Sequence, residues 1–445
     1  MATDESSPPT TRENMRNSSG GEVPPIAVTE GARPLAARSF LVYFRALRHR
    51  NFRLFWSGQL ISLVGTWMQS ATQWWLVHRL THEPIWLGIV GTATFLPAFL
   101  LSFVAGVVAD RVPKRSMIVA TQVTAACLAL SLSALTFTGA VRVGHIVAFA
   151  FLLGTVNAFD MPTRQAFVIE MVGGEDLMNA IALNSSIFNA ARVIGPALAG
   201  FLIASTGEAI CFLLNGLSFL PVIAGLLLMR LPPVRKREAR PVWHELAEGF
   251  RFVGRSPRVR TVLEAVAISS IFGMSFTILL PVFADQILRT GPRGYGLLMG
   301  AVGVGAVTGA LRLAGRTSTR GSGRLVALGM GLLGVSLLAF SLSRTFILSE
   351  ILLLAVGGSM ITQLATTNTL LQRTSPDEIR GRVLSMYTFV LVGLAPIGSL
   401  LLGALAQHLG APWAVRIGGM ICLAGSIWFA WQIPRVRAAV RATGT

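Results

Sequence analysis

Long apolar stretches follow one another along most of the chain, and short segments rich in arginine, glycine and proline separate them. A helix needs about 20 mainly apolar residues to cross the hydrocarbon core of a bilayer. Measured against that length, the pattern predicts an all-α membrane protein with 12 transmembrane helices. The predicted helices lie at about 54–77, 86–109, 117–138, 145–163, 179–204, 209–229, 261–284, 294–312, 325–342, 346–367, 384–407 and 415–434.

The segments outside these stretches define the predicted domains. Residues 1–45 are rich in Ser, Thr, Pro, Gly and Glu, which is typical of a disordered tail. The central loop has apolar residues at helical spacing, which predicts either an amphipathic helix on the inner leaflet or a solvated linker helix. We divide the rest into a six-helix bundle at 46–229, a cytoplasmic linker at 230–258, a second six-helix bundle at 259–435 and a cytoplasmic tail at 436–445.

The two predicted bundles resemble each other in sequence. The stretch EMVGGEDLMNAIAL, which begins at Glu170, aligns with QRTSPDEIRGRVLS, which begins at Gln372, at an offset of 202 residues. Two related six-helix halves are a known transporter architecture, with the substrate site between the halves near the middle of the membrane. We therefore expect two pseudo-symmetric bundles and a site between them.

Basic residues outnumber acidic ones, 38 to 20, although 53% of the chain is apolar and only 13% is charged. Of the lysines and arginines, 31 fall in segments on one side of the predicted helices and 6 in segments on the other. Since basic loops stay in the cytoplasm, this distribution predicts a multi-pass protein with both termini cytoplasmic. The excess of arginine over lysine indicates a bacterial source and therefore a bacterial plasma membrane. The charge therefore encodes topology and does not indicate a nucleic-acid partner.

The composition also excludes several classes of function. Neither lysine, Lys114 or Lys236, has the Gly-Lys-Ser/Thr setting of a Walker A loop, so the chain carries no nucleotide site of that kind. Cys127, Cys211 and Cys422 each lie in an apolar run, which argues against a disulfide or a metal site. The six histidines form no ligand set, and no nucleophile constellation is present. We expect no enzymatic activity, no metal and no cofactor.

The loop after the second predicted helix carries a charged motif. It reads GVVADRVPKR from Gly106 and resembles motif A of the major facilitator superfamily, with Pro113 in place of the second glycine. A glycine permits close helix approach, and an aspartate can cap a helix or pair with an arginine. The resemblance therefore implies a gating motif, and a topology signal with a turn is the alternative. The residues concerned are Gly106, Asp110, Arg111, Lys114 and Arg115.

The fifth predicted helix contains Gly195-Pro196-Ala-Leu-Ala199-Gly200. This stretch resembles the tail of motif C, which marks exporters and antiporters of the same superfamily, with Ala199 where the family often has glycine. Gly-Pro kinks a membrane helix and permits tight packing. We therefore expect a kink motif at Gly195, Pro196 and Gly200, with an ordinary packing kink as the alternative.

Two further stretches resemble the branch that includes the enterobactin exporter and macrolide-efflux proteins. They are FDMPTRQA from Phe159 and NFRLFWSGQLISLVGTWM from Asn51. The resemblance covers about 45–435. The arginine of the family's motif B is missing from the predicted fourth helix, because Arg164 lies past the inner end of that helix.

Polar residues lie on one face of the first predicted helix, and in this superfamily the first, fourth, seventh and tenth helices line the cavity. Amides are costly in hydrocarbon, so this face should meet protein or water. We assign eleven residues to the substrate pathway, with interhelical hydrogen bonding as the alternative. They are Gln59, Ser62, Thr66, Gln69, Gln73, Asn157, Asn189, Arg192, Ser359, Thr362 and Gln363.

Arg192 is the one basic residue deep inside a predicted span, near the middle of the membrane. A charge at that depth indicates function by default, as a ligand for an anionic substrate group or as the partner of a carboxylate. A structural ion pair is the alternative. No acidic residue lies at comparable depth, so the candidates for proton coupling are Asp110, Asp160 and Asp285.

These features together predict a secondary transporter with the major facilitator fold. We expect it to export a small organic molecule, such as a drug, siderophore or secondary metabolite, by alternating access coupled to proton entry. Uptake by the same fold and a transport-inactive membrane sensor or scaffold are the alternatives. The expected partners are the small-molecule substrate, protons and membrane lipid. We expect a monomer and leave the oligomeric state open.

Overall fold

The computed structural model describes residues 40–230, 251, 253–254, 256–315, 321–376 and 379–442. The architecture below is that of the unit Phe44–Thr445. Most of the predicted tail at 1–45 and most of the predicted linker at 230–258 lie outside the described residues. Within the described ranges a 3₁₀ helix that ends at Arg48 precedes a series of long α-helices, and no strand occurs.

We number the long helices in chain order. They are α1 Arg50–Thr81, α2 Pro84–Arg111, α3 Lys114–Phe137, α4 Val143–Val172, α5 Leu177–Thr206, α6 Glu208–Leu227, α7 Pro257–Ile287, α8 Gly291–Ala314, α9 Ser322–Leu342, α10 Phe346–Thr374, α11 Arg380–Leu409 and α12 Ala411–Ala442. Glycines with a positive φ end several of them, as at Gly173 after α4 and Gly410 after α11. Glycine adopts this backbone conformation without the steric cost that other residues incur.

In the described part of the chain, eleven helices are long and apolar enough to cross a membrane. They are α2 to α12, and each coincides in position with a predicted span, which confirms an all-helical membrane protein. The exception is α1, which has 32 residues but carries the polar stripe. Length alone would allow α1 to span a membrane, and its polar side chains are what set it apart from the other eleven.

Two of the described helices depart from regular α geometry. α7 contains π-helical turns at Ser269–Met274 and Phe283–Ile287, with a 3₁₀ segment at Ser275–Leu279 between them. Such π-helical turns are rare and frequently lie at functional sites. α11 is interrupted at Leu394, just ahead of Pro396, where the proline lacks the backbone donor that would continue the helix.

Helix contacts divide the described chain into two groups, α1–α6 and α7–α12. In the first group α1 packs on α5 and α6, α2 packs on α4, and α3 packs on α4 and α6. In the second group α9 packs on α10 and α12, α8 packs on α10, and α7 packs on α12. The groups meet mainly along two pairs, α5 with α8 and α2 with α11. These four helices form most of the boundary between the groups.

The buried apolar side chains are distributed differently at the two ends of this boundary. The largest cluster joins both groups at the end that holds the C-terminus of α1, and it includes Leu76, Leu87, Phe283 and Leu402. At the other end, a cluster around Phe55 belongs to the first group, and a separate cluster around Val266 belongs to the second. Packing contacts of this kind stabilise helix association in lipid. Among the described residues, the groups therefore share a core at one end only, which we call the closed end.

Candidate transport pathway and gates

Polar and aromatic contacts join the two groups at the closed end. Tyr295 of α8 is fully buried there and donates a hydrogen bond from Oη to Ala71 O of α1, at 3.1 Å. Its ring stacks on Trp75, with the ring centroids 5.7 Å apart. Nε2 of His78 lies 3.0 Å from Oδ2 of Asp285, in the second π-helical turn of α7. These contacts hold α1 against α7 and α8.

Glycines let the helix backbones meet at the same end. A Cβ placed on Gly200 of α5 would lie 2.9 Å from Gly296 Cα of α8, and one on Gly296 would lie 2.5 Å from Pro196 O. On α2, a Cβ on Gly88 would lie 2.7 Å from Ser399 O of α11. Side-chain carbons do not approach other atoms this closely without a shift of the backbone, so both helix pairs depend on glycine.

The predicted kink motif packs on both neighbours of α5. A Cβ on Gly195 would lie 2.6 Å from Trp67 Cβ of α1, whereas Gly200 faces α8. Pro196 lies inside α5, and the helix continues past it to Thr206. One glycine of the motif therefore packs within the first group and the other packs at the contact between the groups, and the role of the motif stays a prediction.

The predicted gating motif lies at the end where the described residues of the two groups form separate cores. Among the described atoms, none lies within 4 Å of a Cβ placed on Gly106. Arg111 is exposed, and the side chain of Asp110 lies outside the described part of the structure. The close helix approach expected at Gly106 and the gating role of the motif therefore stay predictions.

The other two basic residues of the motif contact their own group of helices. Lys114 Nζ pairs with Glu170 of α4. Arg115 Nη2 donates to Leu227 O at the end of α6, at 2.7 Å, and its Nη1 donates to Met229 O at 3.4 Å. A cation at a helix C-terminus is stabilised by the carbonyl groups and by the helix dipole. These contacts tie the α2–α3 loop to the first group and leave it free to move with that group.

A cluster of charges fastens the chain ahead of α1 to the start of α5. Asp176, which immediately precedes α5, has a side chain only 2% exposed. It pairs with Arg45 Nε at 2.8 Å, with Arg48 Nη2 at 2.9 Å and with His49 Nε2 at 2.7 Å. The hydrogen bond with His49 and the charges of the two arginines hold the pKa of Asp176 below its ordinary value of 3.8. Asp176 is therefore ionised at any physiological pH.

This cluster predicts a specific pH dependence of stability. Because the pKa of Asp176 is lower in the folded than in the unfolded state, its stabilising contribution is present above pH 3.8 and is lost as the pH falls through the folded pKa. The Asp176→Asn variant should unfold at a lower temperature than the unmodified protein, by a constant margin at neutral and mildly acidic pH. That difference in unfolding temperature should shrink only below about pH 4. The control variant Glu264→Gln should unfold at the same temperature as the unmodified protein. A margin that disappears at a higher pH would contradict the assignment.

The polar stripe of α1 is buried in the first group. Its members Gln59, Ser62, Gln69 and Gln73 are buried and Thr66 is half-buried. Asn215 Nδ2 of α6 donates to Gln69 Oε1 at 2.7 Å, and Arg164 Nη1 of α4 donates to Gln59 Oε1. In the structure this face meets protein at these residues. For Gln59 and Gln69 the partners support the alternative of interhelical hydrogen bonding.

A buried ion pair links α4 with α1 and α3. Asp160 is 5% exposed and pairs with Arg164 one turn later on α4. Thr121 Oγ1 and Gln122 Nε2 of α3 donate to Asp160 Oδ1, at 2.7 and 3.1 Å. Arg164 also donates to Gln59 of α1. A buried charge pair requires hydrogen bonds of this kind to offset the cost of desolvation, so these five side chains form one unit, which we call the Asp160 cluster.

The Asp160 cluster corrects the expected position of Arg164. The predicted fourth helix ended at about residue 163, but α4 continues to Val172, so Arg164 lies about two turns before its end. Hydropathy falls at Arg164 and at Glu170, whereas the helix persists because both side chains pair with charges of the first group. The fourth helix therefore does contain an arginine.

Three buried atoms of the Asp160 cluster lack partners. In the described structure, Arg164 Nε, Gln59 Nε2 and Gln122 Oε1 make no hydrogen bond. Buried polar atoms are nearly always satisfied, so unsatisfied ones call for an explanation. Free donor and acceptor sites beside a buried carboxylate allow the hydrogen bonds to rearrange when the charge of the carboxylate changes.

The remaining residues assigned to the pathway have varied surroundings. Nε2 of Gln363 of α10 donates to Ser269 Oγ of α7 at 2.6 Å, inside the second group. Ser359 and Thr362 donate to carbonyls of their own helix at 2.7 Å, and Asn189 donates to Ser185 O at 2.8 Å. Asn157 is exposed. Arg192 lies beside Trp67, with its Cζ 6.0 Å from the ring centroid. The structure thus brings Gln59 to the Asp160 cluster and leaves the other residues distributed along the bundle.

Sequence reasoning missed most of the contacts at the closed end. The sequence predicts no role for His78, although it lies near the end of a polar helix and faces the candidate carboxylate of Asp285. Tyr295 is one of three tyrosines in the chain, and no sequence pattern predicts its contact with α1. The pairing of Asp160 with Arg164 could have been found, because residues four apart share a helix face.

The described chain is a bundle of apolar helices in two contacting groups, an architecture typical of transporters that are built from two related halves. The chain belongs to the family described as transmembrane secretion effector, within the major facilitator superfamily, and the model of this family matches residues 42–443. The protein is therefore a transporter and not an enzyme.

The curated relatives agree with this family. The chain is 25% identical over 382 residues to a staphyloferrin A transporter of Staphylococcus aureus, covering 85% of this chain and 95% of that one. It is 26% identical to the multidrug efflux pump Tap of Mycolicibacterium fortuitum, over 76% of this chain and 84% of that one. It is 27% identical to the enterobactin exporter EntS of Escherichia coli, over 83% of this chain and 88% of that one.

Solved structures with the same fold include two transporters. The nucleoside transporter NupG superposes with a TM-score of 0.64 at 12% identity, covering 86% of this chain and 98% of that one. A bacterial homolog of the human lysosomal transporter Spinster, inward-facing and unoccupied, gives a TM-score of 0.65 at 14% identity, over 91% and 98%. At this level of identity the likeness establishes the fold.

Proposed function

We propose that the protein is a proton-coupled exporter of a small organic molecule in the bacterial plasma membrane. The observation that carries the proposal is the boundary between the two groups, which share one core at the closed end and have separate cores at the other. Such a boundary can open and close at alternate ends by rocking of one group against the other, which is how substrates cross without a continuous pore.

Twelve spans in two six-helix bundles complete this proposal. α1 has the length of a span, and its polar stripe is buried in the first group, so it need not meet lipid. Counting α1 puts both termini on one side, and the distribution of arginines puts that side in the cytoplasm. The closed end then faces outward, and the end with Gly106 faces the cytoplasm. The conformation is accordingly inward-facing.

Export is favoured by the names of two relatives. The pump Tap is described as a multidrug efflux pump and EntS as an enterobactin exporter, and the kink motif Gly195-Pro196 resembles the motif of exporters. We place the exported molecule in the same broad class, a drug, siderophore or secondary metabolite that leaves the cytoplasm.

Among the three candidate carboxylates we assign proton coupling to Asp160. Of the two whose side chains the structure describes, Asp160 is the one that is bonded to an arginine that reaches α1. Asp285 has a side chain 42% exposed at the closed end, which suits a gate contact better than a buried proton site. A proton on Asp160 would cancel the charge that holds Arg164 and release the arginine, so proton binding and helix packing become linked.

Inverted membrane vesicles provide the test of this function. With a pH gradient and no ATP, vesicles containing the protein should accumulate a fluorescent probe, and an uncoupler should abolish the accumulation. The Asp160→Asn variant should lose accumulation against a gradient but still exchange probe down a gradient, because the neutral amide resembles the protonated carboxyl group and cannot cycle a proton. Glu264→Gln, which changes an exposed carboxylate, is the matched control.

Three outcomes would refute parts of the proposal. Accumulation that requires ATP would exclude proton coupling. Accumulation only in right-side-out vesicles would reverse the direction and make the protein an uptake transporter. Full gradient-driven accumulation by Asp160→Asn would leave the coupled export standing and remove Asp160 from it.

A further inference from the structure

Arg192 is a charged residue placed where charge is costly. It lies near the middle of α5. This helix has 30 residues and is long and apolar enough to cross a membrane. Ionisable side chains at such depth are rare and normally pair with one another, with backbone carbonyls or with a ligand. The groups around Arg192 therefore indicate the role of its charge.

No protein group in the described structure neutralises Arg192. Among those residues no carboxylate lies within ion-pair distance of its guanidinium group and no acceptor bonds to it; its contact is the face of Trp67, with Cζ 6.0 Å from the ring centroid. Trp67 in turn packs edge-to-face on Phe188, with the ring centroids 5.7 Å apart. A cation held only by an aromatic ring keeps all its hydrogen-bond donors available.

The neighbours of Arg192 place it at the boundary between the two groups. Trp67 belongs to α1, and Gly303 of α8 lies on the other side, since a Cβ on Gly303 would lie 3.2 Å from Arg192 O. A proline inside a helix removes the donor that would bond to the carbonyl four residues earlier. Pro196 therefore leaves the carbonyl of Arg192 without its helical partner where α5 meets α8.

We propose that Arg192 and Trp67 form a binding site for an organic anion, one that carries a carboxylate or phenolate on a planar or aromatic frame. This inference rests on the proposed function and makes the exported molecule an anion. The guanidinium group matches the two oxygens of a carboxylate in geometry and charge. Trp67 and Phe188 offer ring surfaces to the frame. A cationic molecule would meet repulsion at Arg192, which low-dielectric surroundings strengthen.

Two xanthene dyes of opposite charge test this site directly. Carboxyfluorescein is an aromatic polyanion and pyronin Y is a cation with a related ring system. Binding to the purified full-length protein in detergent, followed by fluorescence polarisation without any gradient, should be measurable for carboxyfluorescein and much weaker for pyronin Y. The same dyes are then followed in inverted vesicles.

Variants of the two residues separate charge from ring contact. Arg192→Gln should weaken carboxyfluorescein binding roughly tenfold or more, because it removes a charge-assisted hydrogen bond. Arg192→Lys should restore part of the affinity, since it keeps the charge but loses the planar fork. Trp67→Leu should weaken binding of the dye while leaving the preference for the anion. Arg344→Gln, at an exposed arginine, is the matched control and should bind like the unmodified protein.

Each outcome bears on the site or on export separately. Equal binding of the two dyes, no binding of carboxyfluorescein, or an Arg192→Gln variant that folds and binds carboxyfluorescein normally would overturn the anion site and leave export intact. Binding that depends on Arg192 without gradient-driven transport of any dye would support the site and contradict the proposed export. The unfolding temperature of each variant shows whether a loss of binding reflects a loss of folding.

Discussion

Arg164→Ala should destabilise the protein by about 3–5 kcal/mol, the cost of leaving a buried charge without its partner. The arginine side chain is 18% exposed and the Asp160 side chain 7%, so solvent screens the pair only weakly. Removing the guanidinium group strands the carboxylate of Asp160 with two neutral donors and takes away the bond to Gln59. The change should appear as a clear drop in unfolding temperature and in the yield of folded protein.

Two further variants make that result specific to the buried charge. Arg164→Ala combined with Asp160→Asn should be more stable than Arg164→Ala alone, because no unpaired charge remains. Arg260→Ala removes an arginine of the same i, i+4 spacing whose side chain is 59% exposed beside Glu264, and exposed pairs contribute about 1 kcal/mol or less. If the double variant is no more stable than the single one, the loss comes from packing and the buried-charge account is wrong.

The helices could be predicted from sequence, but the end of α4 could not. Apolar length locates α2 to α12, because in lipid the backbone must satisfy its own hydrogen bonds. The end of α4 was placed too early because Arg164 and Glu170 look polar, whereas both are paired inside the first group. Pairing of this kind depends on which helices are neighbours, and hydropathy along one helix does not contain that information.

The stripe on α1 shows the same limit for the candidate site. Its spacing predicts a buried polar face, and the face is buried. Whether Gln69 meets Asn215 or a water-filled pathway depends on the rotation of α1 against α6, and spacing gives no rotation. Asp160 and Arg164 share a face by spacing alone, so this part of the cluster was predictable, while the contact with Gln59 was not.

The two predicted motifs have different surroundings in the structure. Gly195 packs on α1, and Gly200 packs on α8 at the closed end. Gly106 lies at the other end, where no described atom lies within 4 Å of a Cβ placed on it. A transporter sequence encodes more than one arrangement of the same helices. A sequence motif predicts a contact but does not indicate the conformation in which that contact forms.

Gly296→Ala should slow transport strongly, whereas Gly300→Ala, one turn further along the same helix, should leave transport nearly unchanged. A Cβ on Gly296 would lie 2.5 Å from Pro196 O and 2.9 Å from Gly200 Cα, so the methyl group does not fit while the closed end is closed. A Cβ on Gly300 would have Val193 O at 3.8 Å, an ordinary contact. The two variants therefore add the same methyl group to α8 at two positions one turn apart, one tightly packed and one not.

The size of the effect follows from the cost of the clash. Forcing an extra methyl group into a packed contact costs about 1–3 kcal/mol, and here only the conformation with the closed end closed bears that cost. The equilibrium should shift away from this conformation by roughly five- to 150-fold.

The shift can be measured by labelling Ala71→Cys with a membrane-impermeant thiol reagent, since this position is fully buried when the end is closed. For the matched background, the exposed Cys127 is replaced by alanine. Faster labelling should accompany the loss of transport in Gly296→Ala and be absent in Gly300→Ala. Lost transport with unchanged labelling would mean that the glycine acts elsewhere than in closing this end.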